Sequence, residues 1–258
     1  MLVKPTSELS IVDFAHDNPE EIAALCQMLN VGVKSKLRGE GDKRTMVELS
    51  RGVFFRRDEV GSNEEKGIGL SVWRGYRVTV VPNNGQLYLQ VDPISRVLSL
   101  DNFLKMLQYD RKSISLQEIN TKYTGSTVLN KKGNMRVYHI DGIDFDKNPK
   151  HKFTDSKTGK EVSFIEYFLN RYGYKIENEK QPLVRVKVRE RKGEKTESGK
   201  EEERFIYLVP EMLVLTGMTE NQKQDRKIMK QLDCHTKLRP QERMEESQEI
   251  IRQLCNDN

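Results

Sequence analysis

Apolar residues change their spacing several times along this chain, and each change marks an element. Between Pro19 and Leu29, Ile22, Leu25 and Leu29 recur at i, i+3 and i+7, which places them on one helical face. Beyond that helix Gly39, Gly41 and Gly52 separate short apolar pieces such as 45–47 and 53–55, and the stretch from Gly61 to Gly69 reads as a charged loop. Two alternating arms, Tyr76–Val81 and Gln86–Val91, flank Asn84–Gly85, whose ready access to positive φ predicts a hairpin turn. From Ser99 the period becomes helical, with Leu100, Phe103, Leu104 and Leu107 on one face and Ser99 as the expected N-cap.

A second unit is expected from about Glu118. Gly125–Asn130 and Met135–Ile143 read as strands joined by Lys131–Asn134, and 144–160 is rich in turn residues. Phe164, Phe168 and Tyr172 recur at i, i+4 and i+8 before Gly173, so Ser163–Tyr172 is expected to be a short helix stopped by glycine. Val184, Val186 and Val188 alternate with Arg185, Lys187 and Arg189, a strand with one basic face. Residues 192–203 form a charged low-complexity loop, and Arg204–Val209 returns as a strand. Past Gly217 the pattern is helical. Thr219 and Gln222 make a capping-box pair, Ile228, Met229 and Leu232 an apolar face, and a further helix takes Pro240 in its first turn and runs to Leu254. The expected fold is α+β: a small β-barrel preceded by a hairpin and helix and followed by polar helices.

Composition narrows the class. The 258 residues carry 44 Lys+Arg against 39 Asp+Glu, a net charge of +5, which allows an anionic partner without demanding one. No apolar run approaches the roughly 18 residues of a membrane-spanning helix, and the first twenty residues lack a basic and apolar leader. The chain therefore reads as intracellular, in cytoplasm or nucleus. Cys26, Cys234 and Cys255 form no C-x-x-C pair, which argues against a disulfide scaffold and a cysteine zinc site.

No phosphate-loop, dinucleotide or zinc-protease motif occurs, so no cofactor is expected. His16, His139, His151 and His235 are scattered without ligand spacing. Asp141, Asp144 and Asp146 offer oxygen ligands for Mg²⁺, although the same spacing suits a solvated turn. More informative is a set of phenols near cations: Tyr138 and His139 on one strand, Tyr167, Arg171 and Tyr172 on the short helix, and Tyr207 on a later strand. Positions 167 and 171 lie one helical turn apart, so a phenol and a guanidinium can converge on one anion. Hydroxyl and guanidinium donors beside ring faces are what a terminal nucleotide needs. A plain aromatic core is the other reading of the same spacing.

Five blocks in order close the gap between those readings: Val137–Pro149, Lys160–Tyr172, Lys180–Leu183, Ile206–Gly217 and His235–Arg243. They resemble the PAZ domain and following linker of Piwi-clade Argonaute proteins, while Trp73–Tyr76 and Val91–Leu98 resemble the family's first linker. The resemblance implies an N-terminal region fragment at 1–70, linker 1 at 71–117, a PAZ domain at 118–218 and the start of linker 2 at 219–258. It further implies a PAZ-type barrel of OB/SH3-like build with a helix-bearing side lobe.

In function it implies a non-catalytic RNA-binding module that anchors the 3′ end of a single-stranded small guide RNA in RNA silencing. The guide that the resemblance implies is piRNA-like and 2′-O-methylated. Carried over residue by residue, the implied contacts are Tyr138, His139, Phe153, Tyr167, Arg171, Tyr172, Tyr207 and Leu208. His139 stands where the family usually has Arg, Arg171 where many relatives have Lys, and Tyr207 where Piwi relatives often have Met. The long loop from Arg189 to Arg204 resembles the Piwi-type extension. The implied partners are the RNA end and the MID and PIWI domains of a full-length protein, with no membrane. The alternatives are a protein-interaction scaffold with a vestigial barrel, a PAZ module of the Dicer type, and a nuclease built on Asp141, Asp144 and Asp146.

Overall fold

The structure is a computed structural model that describes residues 19–38, 46–56, 64–65, 68–83, 86–155, 159–188 and 204–255. Its first half holds helix α1 (Pro19–Arg38) and strands β1 (Met46–Ser50), β2 (Val53–Arg56), β3 (Glu64–Glu65), β4 (Leu70–Asn83) and β5 (Gln86–Asn102). Helices α2 (Phe103–Asp110) and α3 (Leu116–Tyr123) follow, then strands β6 (Thr127–Asn130), β7 (Val137–His139), β8 (Gly142–Asp144), β9 (Lys152–Thr154) and β10 (Glu161–Ser163). Helix α4 (Phe164–Tyr172) precedes β11 (Leu183–Val188), β12 (Arg204–Leu208), a 3-10 turn (Pro210–Met212) and β13 (Leu213–Thr216). Helices α5 (Glu220–Gln224), α6 (Arg226–Thr236) and α7 (Pro240–Cys255) complete the order. The expected Asn84–Gly85 turn and the 192–203 loop lie outside the described residues.

Two compact units share the chain, and β4 and β5 contribute to both. In the first, the sheet order is β1-β2-β4-β5. Helix α1 runs well past Leu29, because Cys26, Val33 and Leu37 continue the apolar stripe at i, i+7 and i+11. The polar residue in that stripe is used: Asn30 accepts from the Val80 amide at 2.9 Å and donates to the Val80 carbonyl at 3.1 Å. Leu37, Met46, Phe54, Tyr76, Val78 and Ile250 make the core beneath. Gly75 is dictated by closeness, since a Cβ there would come within 2.2 Å of the Phe54 carbonyl oxygen.

The second unit is the barrel-like part. The end of β5 pairs with β13, β13 with β6, and β6 with β7. A separate sheet runs β12-β11-β8. The single strand expected over Met135–Ile143 is therefore two. At Ile140–Asp141 the chain leaves the β6 ladder for β11: the Ile140 amide donates to Ser126, and the next amide, of Asp141, donates to Arg185. That switch nearly closes the antiparallel barrel around Val128, Ile140, Val184, Val186, Leu213 and Leu215.

Other departures have equally local causes. Helix α2 begins at Phe103 behind Asn102 rather than at Ser99, because Leu98 and Asn102 are paired to Thr216 and Val214 and keep the intervening residues extended. Strand pairing here overrides the helical period. Helix α3, unpredicted, carries its own signal in a Ser115/Glu118 capping box. The capping box at Thr219 is present, but the helix breaks at Asp225, whose side chain caps a new one by accepting from the Lys227 amide at 2.8 Å.

Candidate functional site

Helix α4 is fixed at both ends by its own sequence. Ser163 and Glu166 form a reciprocal capping box at the start, and Gly173 ends the helix in the left-handed region at φ 63°. With the register set, Phe164 and Phe168 turn inward and are 6% and 5% exposed. Tyr167 and Tyr172 lie half-buried at the rim, and Arg171 is exposed. The β9–β10 hairpin sets Phe153 opposite Val162, and the Phe153 ring meets Phe164 at 4.5 Å and Tyr167 edge-on at 5.4 Å between centroids. Tyr172 completes the stack at 5.6 Å from Phe168 and 6.1 Å from Tyr167.

Facing this wall of rings is an edge of the barrel. Asn130 from β6, Asn134 from the following turn and Tyr207 and Leu208 from β12 close a cleft of about 140 Å³ with Phe153, Phe164, Tyr167, Phe168 and Tyr172. Five of the eight residues named from the sequence thus line one cavity: Phe153, Tyr167, Tyr172, Tyr207 and Leu208. Arg171 is not among the lining residues but stacks on two of them, its guanidinium 5.3 Å from the Tyr167 ring centre and 5.9 Å from that of Tyr172. Tyr138 reaches the cleft through a neighbour, since its hydroxyl accepts from Asn134 Nδ2 at 2.6 Å. His139 is not brought in. It follows Tyr138 on a strand, so its side chain takes the other face, where Nδ1 lies 3.2 Å from Thr127 Oγ1.

The electrostatics suit an anion. Burial raises the Tyr167 phenol above its ordinary value, and the neighbouring Tyr172 adds to this while Arg171 opposes it. The phenol therefore stays a neutral donor. On the barrel side Lys147 donates to the Tyr207 hydroxyl at 2.6 Å and lies 3.9 Å from the ring centre. That bond is the main reason its ammonium titrates above the usual lysine range.

In the 3-10 turn after β12, buried Glu211 accepts from the Tyr174 hydroxyl, from the amides of Glu177 and Asn178, and from Gln181 Nε2. Burial alone would raise its pKa, but these donors together hold it below the ordinary carboxylate value. The segment leaving α4 is thereby fastened to the turn leaving β12.

The three aspartates do separate work. Asp141 pairs with Arg185 at 2.8 Å, whereas Asp144 accepts from the amides of Asp146 and Lys147 and makes a turn. Among the described residues no three His, Cys, Asp or Glu side chains gather as metal ligands.

Asn130, Asn134 and Lys147 were missed by sequence reasoning. Phe164 and Phe168 were legible only as a helix face. For Lys147 the partner is sixty residues away, so no local signal existed. Asn134 did carry one, as the last residue of the expected turn at Lys131–Asn134.

Comparison with known proteins adds three findings. Residues 100–239 match the PAZ domain family. The chain is 30% identical over 192 residues to Piwi-like protein 3 of Homo sapiens, 29% over 194 to Piwi-like protein Siwi of Bombyx mori and 26% over 207 to Piwi-like protein 1 of Gallus gallus. These alignments cover 73%, 72% and 79% of this chain but only 21%, 20% and 23% of those proteins. The crystal structure of Drosophila Piwi superposes with a TM-score of 0.57 at 19% identity, covering 93% of this chain and 27% of that one, and so shares its fold.

Proposed function

Because the chain belongs to the PAZ domain family, we propose that it is a non-catalytic module that anchors the 3′ end of a single-stranded small guide RNA for RNA silencing. The observation that carries this reading is the cleft of about 140 Å³, lined by phenols and ring faces, with a guanidinium stacked over two of the lining phenol rings. The terminal phosphate takes donors from Tyr167, Tyr172 and Arg171, the ribose packs against Phe153 and Tyr207, and Leu208 offers apolar contact to a 2′-O-methyl group. Tyr138 acts by holding Asn134. His139 belongs to this set by resemblance, and its position on the other face of β7 makes its part peripheral. In this reading the guide is piRNA-like and 2′-O-methylated, and the module works within a longer protein with MID and PIWI domains; the likeness to Piwi-like proteins, of whose length this chain matches about a fifth, supports it.

Three or four polar contacts at about 1 to 2 kcal/mol, with roughly 1 to 3 kcal/mol from ring contact, suggest a net grip of about 6 to 8 kcal/mol. That is a dissociation constant of roughly one to tens of micromolar. With two or three phosphates neutralised, the logarithmic salt slope should be about −1.4 to −2. The test is a fluorescence titration with one short RNA ending in a 2′-O-methyl, a free 2′-hydroxyl or a 3′-phosphate. Preference for the methylated end, abolished by the phosphate, supports capture of the end. Equal weak binding of all three would move the function to a basic surface with no end pocket.

A further inference from the structure

We propose that a cavity of about 680 Å³ lined by α2 and the end of α3 is a second site, which takes a guanine nucleotide: Asp110 reads the base and Tyr109 stacks on it. None of its lining residues lines the cleft beside α4, so the site stands apart from end capture. Its volume lies within the roughly 300 to 1,000 Å³ of small-ligand pockets. Asp110 ends α2 and is only 8% exposed. A carboxylate accepts at about four positions. Here Oδ2 takes both donors from the protein, Lys122 Nζ at 2.7 Å and the Tyr123 hydroxyl at 2.8 Å, and Oδ1 takes none from the described residues. Oδ1 is not sealed from solvent, so it is open to a donor in the cavity that Asp110 lines. A tie between α2 and α3 needs one acceptor atom. The second, charged and nearly buried, is unfavourable until a donor meets it.

Tyr109, its neighbour, is the opposite case: it is 73% exposed and lines the same cavity. An open ring of this kind is a face on which a base stacks. Lys105 lies one helical turn before it and Lys112 in the turn that follows α2, at i, i+4 and i+7 on one side. Both lysines line the cavity. Lys112 meets no acceptor among the described residues. Lys105 has only Asp101, at 3.5 Å between side chains that are 67% and 63% exposed, a pair that contributes little. Two ammonium groups beside the ring are therefore available to a phosphate.

The edge of the base identifies which nucleotide fits. The carboxylate accepts, and the Lys122 ammonium beside it has donors left after its bond to Oδ2. Burial, with Asp110 adding to it, raises the Tyr123 phenol above its ordinary value, so that group stays a donor to Oδ2. Guanine presents O6, N1–H and N2–H₂ in a row: an acceptor for the ammonium, then two donors for the carboxylate. Adenine offers one donor followed by an acceptor. Uracil and cytosine turn O2 toward the carboxylate, which repels it. A site that reads donors in this way rejects bases that leave the carboxylate unpaired.

The experiment titrates the full chain into GMP, AMP and IMP, the last lacking N2, and follows the nucleotide's own NMR signals. GMP should bind about tenfold more tightly than AMP and about threefold more tightly than IMP. Tyr109→Ala, at an exposed position, should weaken GMP about tenfold with an unchanged thermal midpoint and unchanged capture of RNA ends. Asp110→Asn should abolish the preference for GMP over AMP, and the IMP comparison carries that part if the variant does not fold. Arg171→Ala, at the other cleft, should leave GMP within about twofold of the wild type. Two uridine hexamers with 3′-phosphate ends, one of them with an internal guanosine, distinguish the sources of the base: preference for the guanosine places it in an RNA strand, and equal weak binding beside tight GMP keeps the site for the free nucleotide. Equal binding of GMP and AMP overturns the reading of the base by Asp110. GMP binding that survives Tyr109→Ala but is lost in Arg171→Ala puts the nucleotide in the cleft, which overturns the second site and leaves end capture standing. Absence of GMP binding in a chain that still captures RNA ends overturns it as well.

Discussion

The two walls of the cleft are made in different ways. The lobe wall comes almost entirely from one stretch, Phe153 to Tyr172, and is held by rings packed on rings within the hairpin and α4. The barrel wall is assembled from Asn130, Asn134, Tyr207 and Leu208, which share an edge only because β6 and β12 lie in two ladders joined by the chain switch at Ile140–Asp141. One wall is a local structure that brings its own shape. The other is a consequence of topology, and its polar groups are placed by partners far away in sequence.

Removing a ring from the lobe wall should have the largest effect on stability. Phe168 is buried among Phe164, Ile176, Leu183, Val209 and Met212. Phe168→Ala should destabilise the protein by about 3 to 5 kcal/mol. Chemical denaturation monitored by circular dichroism would measure it. A loss near 1 kcal/mol would mean that the lobe adds little to the cooperative unit, and that the two walls fold less dependently than their shared cluster implies.

The tie between the walls comes next. Glu211→Ala strips a shared acceptor from Tyr174, Gln181 and the amides of Glu177 and Asn178, at about 2 to 3 kcal/mol. The sign of its pH dependence follows from the depressed pKa. Its contribution is complete above the ordinary carboxylate value of 4.5 and is lost as pH falls through the lower folded value. Hydrogen exchange of residues 174–181 should therefore speed up in acid for the wild type, and be fast already at neutral pH in the alanine variant. Slow exchange in that variant would remove Glu211 as the tie.

This contrast also explains what could be read from the chain. The lobe wall was legible because its determinants are close together: a Ser163 cap, aromatic spacing at i and i+4, and a glycine stop. The barrel wall was legible in its strands but not in its cleft. Nothing near Asn130 signals that it will face Tyr207, and nothing near Lys147 signals the phenol it binds. Strand ends failed for the same reason. Leu98 and Asn102 stay extended because Val214 and Thr216, more than a hundred residues on, pair with them. Periodicity reports which face is apolar, whereas the partner strand decides where the element stops.

Binding separates the walls more gently. Tyr172→Phe removes one phenol while keeping the ring that stacks on Phe168. Affinity for a hydroxyl-ended RNA should fall by about 1 to 3 kcal/mol, as for a hydrogen bond to a charged group, with the thermal midpoint nearly unchanged. Unaltered affinity would make the phenol part of the packed wall and nothing more.

The smallest effect should come from a residue one step outside the cleft. Tyr138 and His139 are neighbours on β7, and a strand sends consecutive side chains to opposite faces. Tyr138 turns toward the barrel core and Asn134, while His139 meets Thr127 on the other side. His139→Ala should then change end affinity by less than about twofold, near 0.4 kcal/mol. Tyr138→Phe, by releasing Asn134, should cost more than that although it retains the ring. If the order is reversed in a titration of the two variants, the imidazole touches RNA, and the bound strand must continue out of the cleft across the Thr127 face of the barrel.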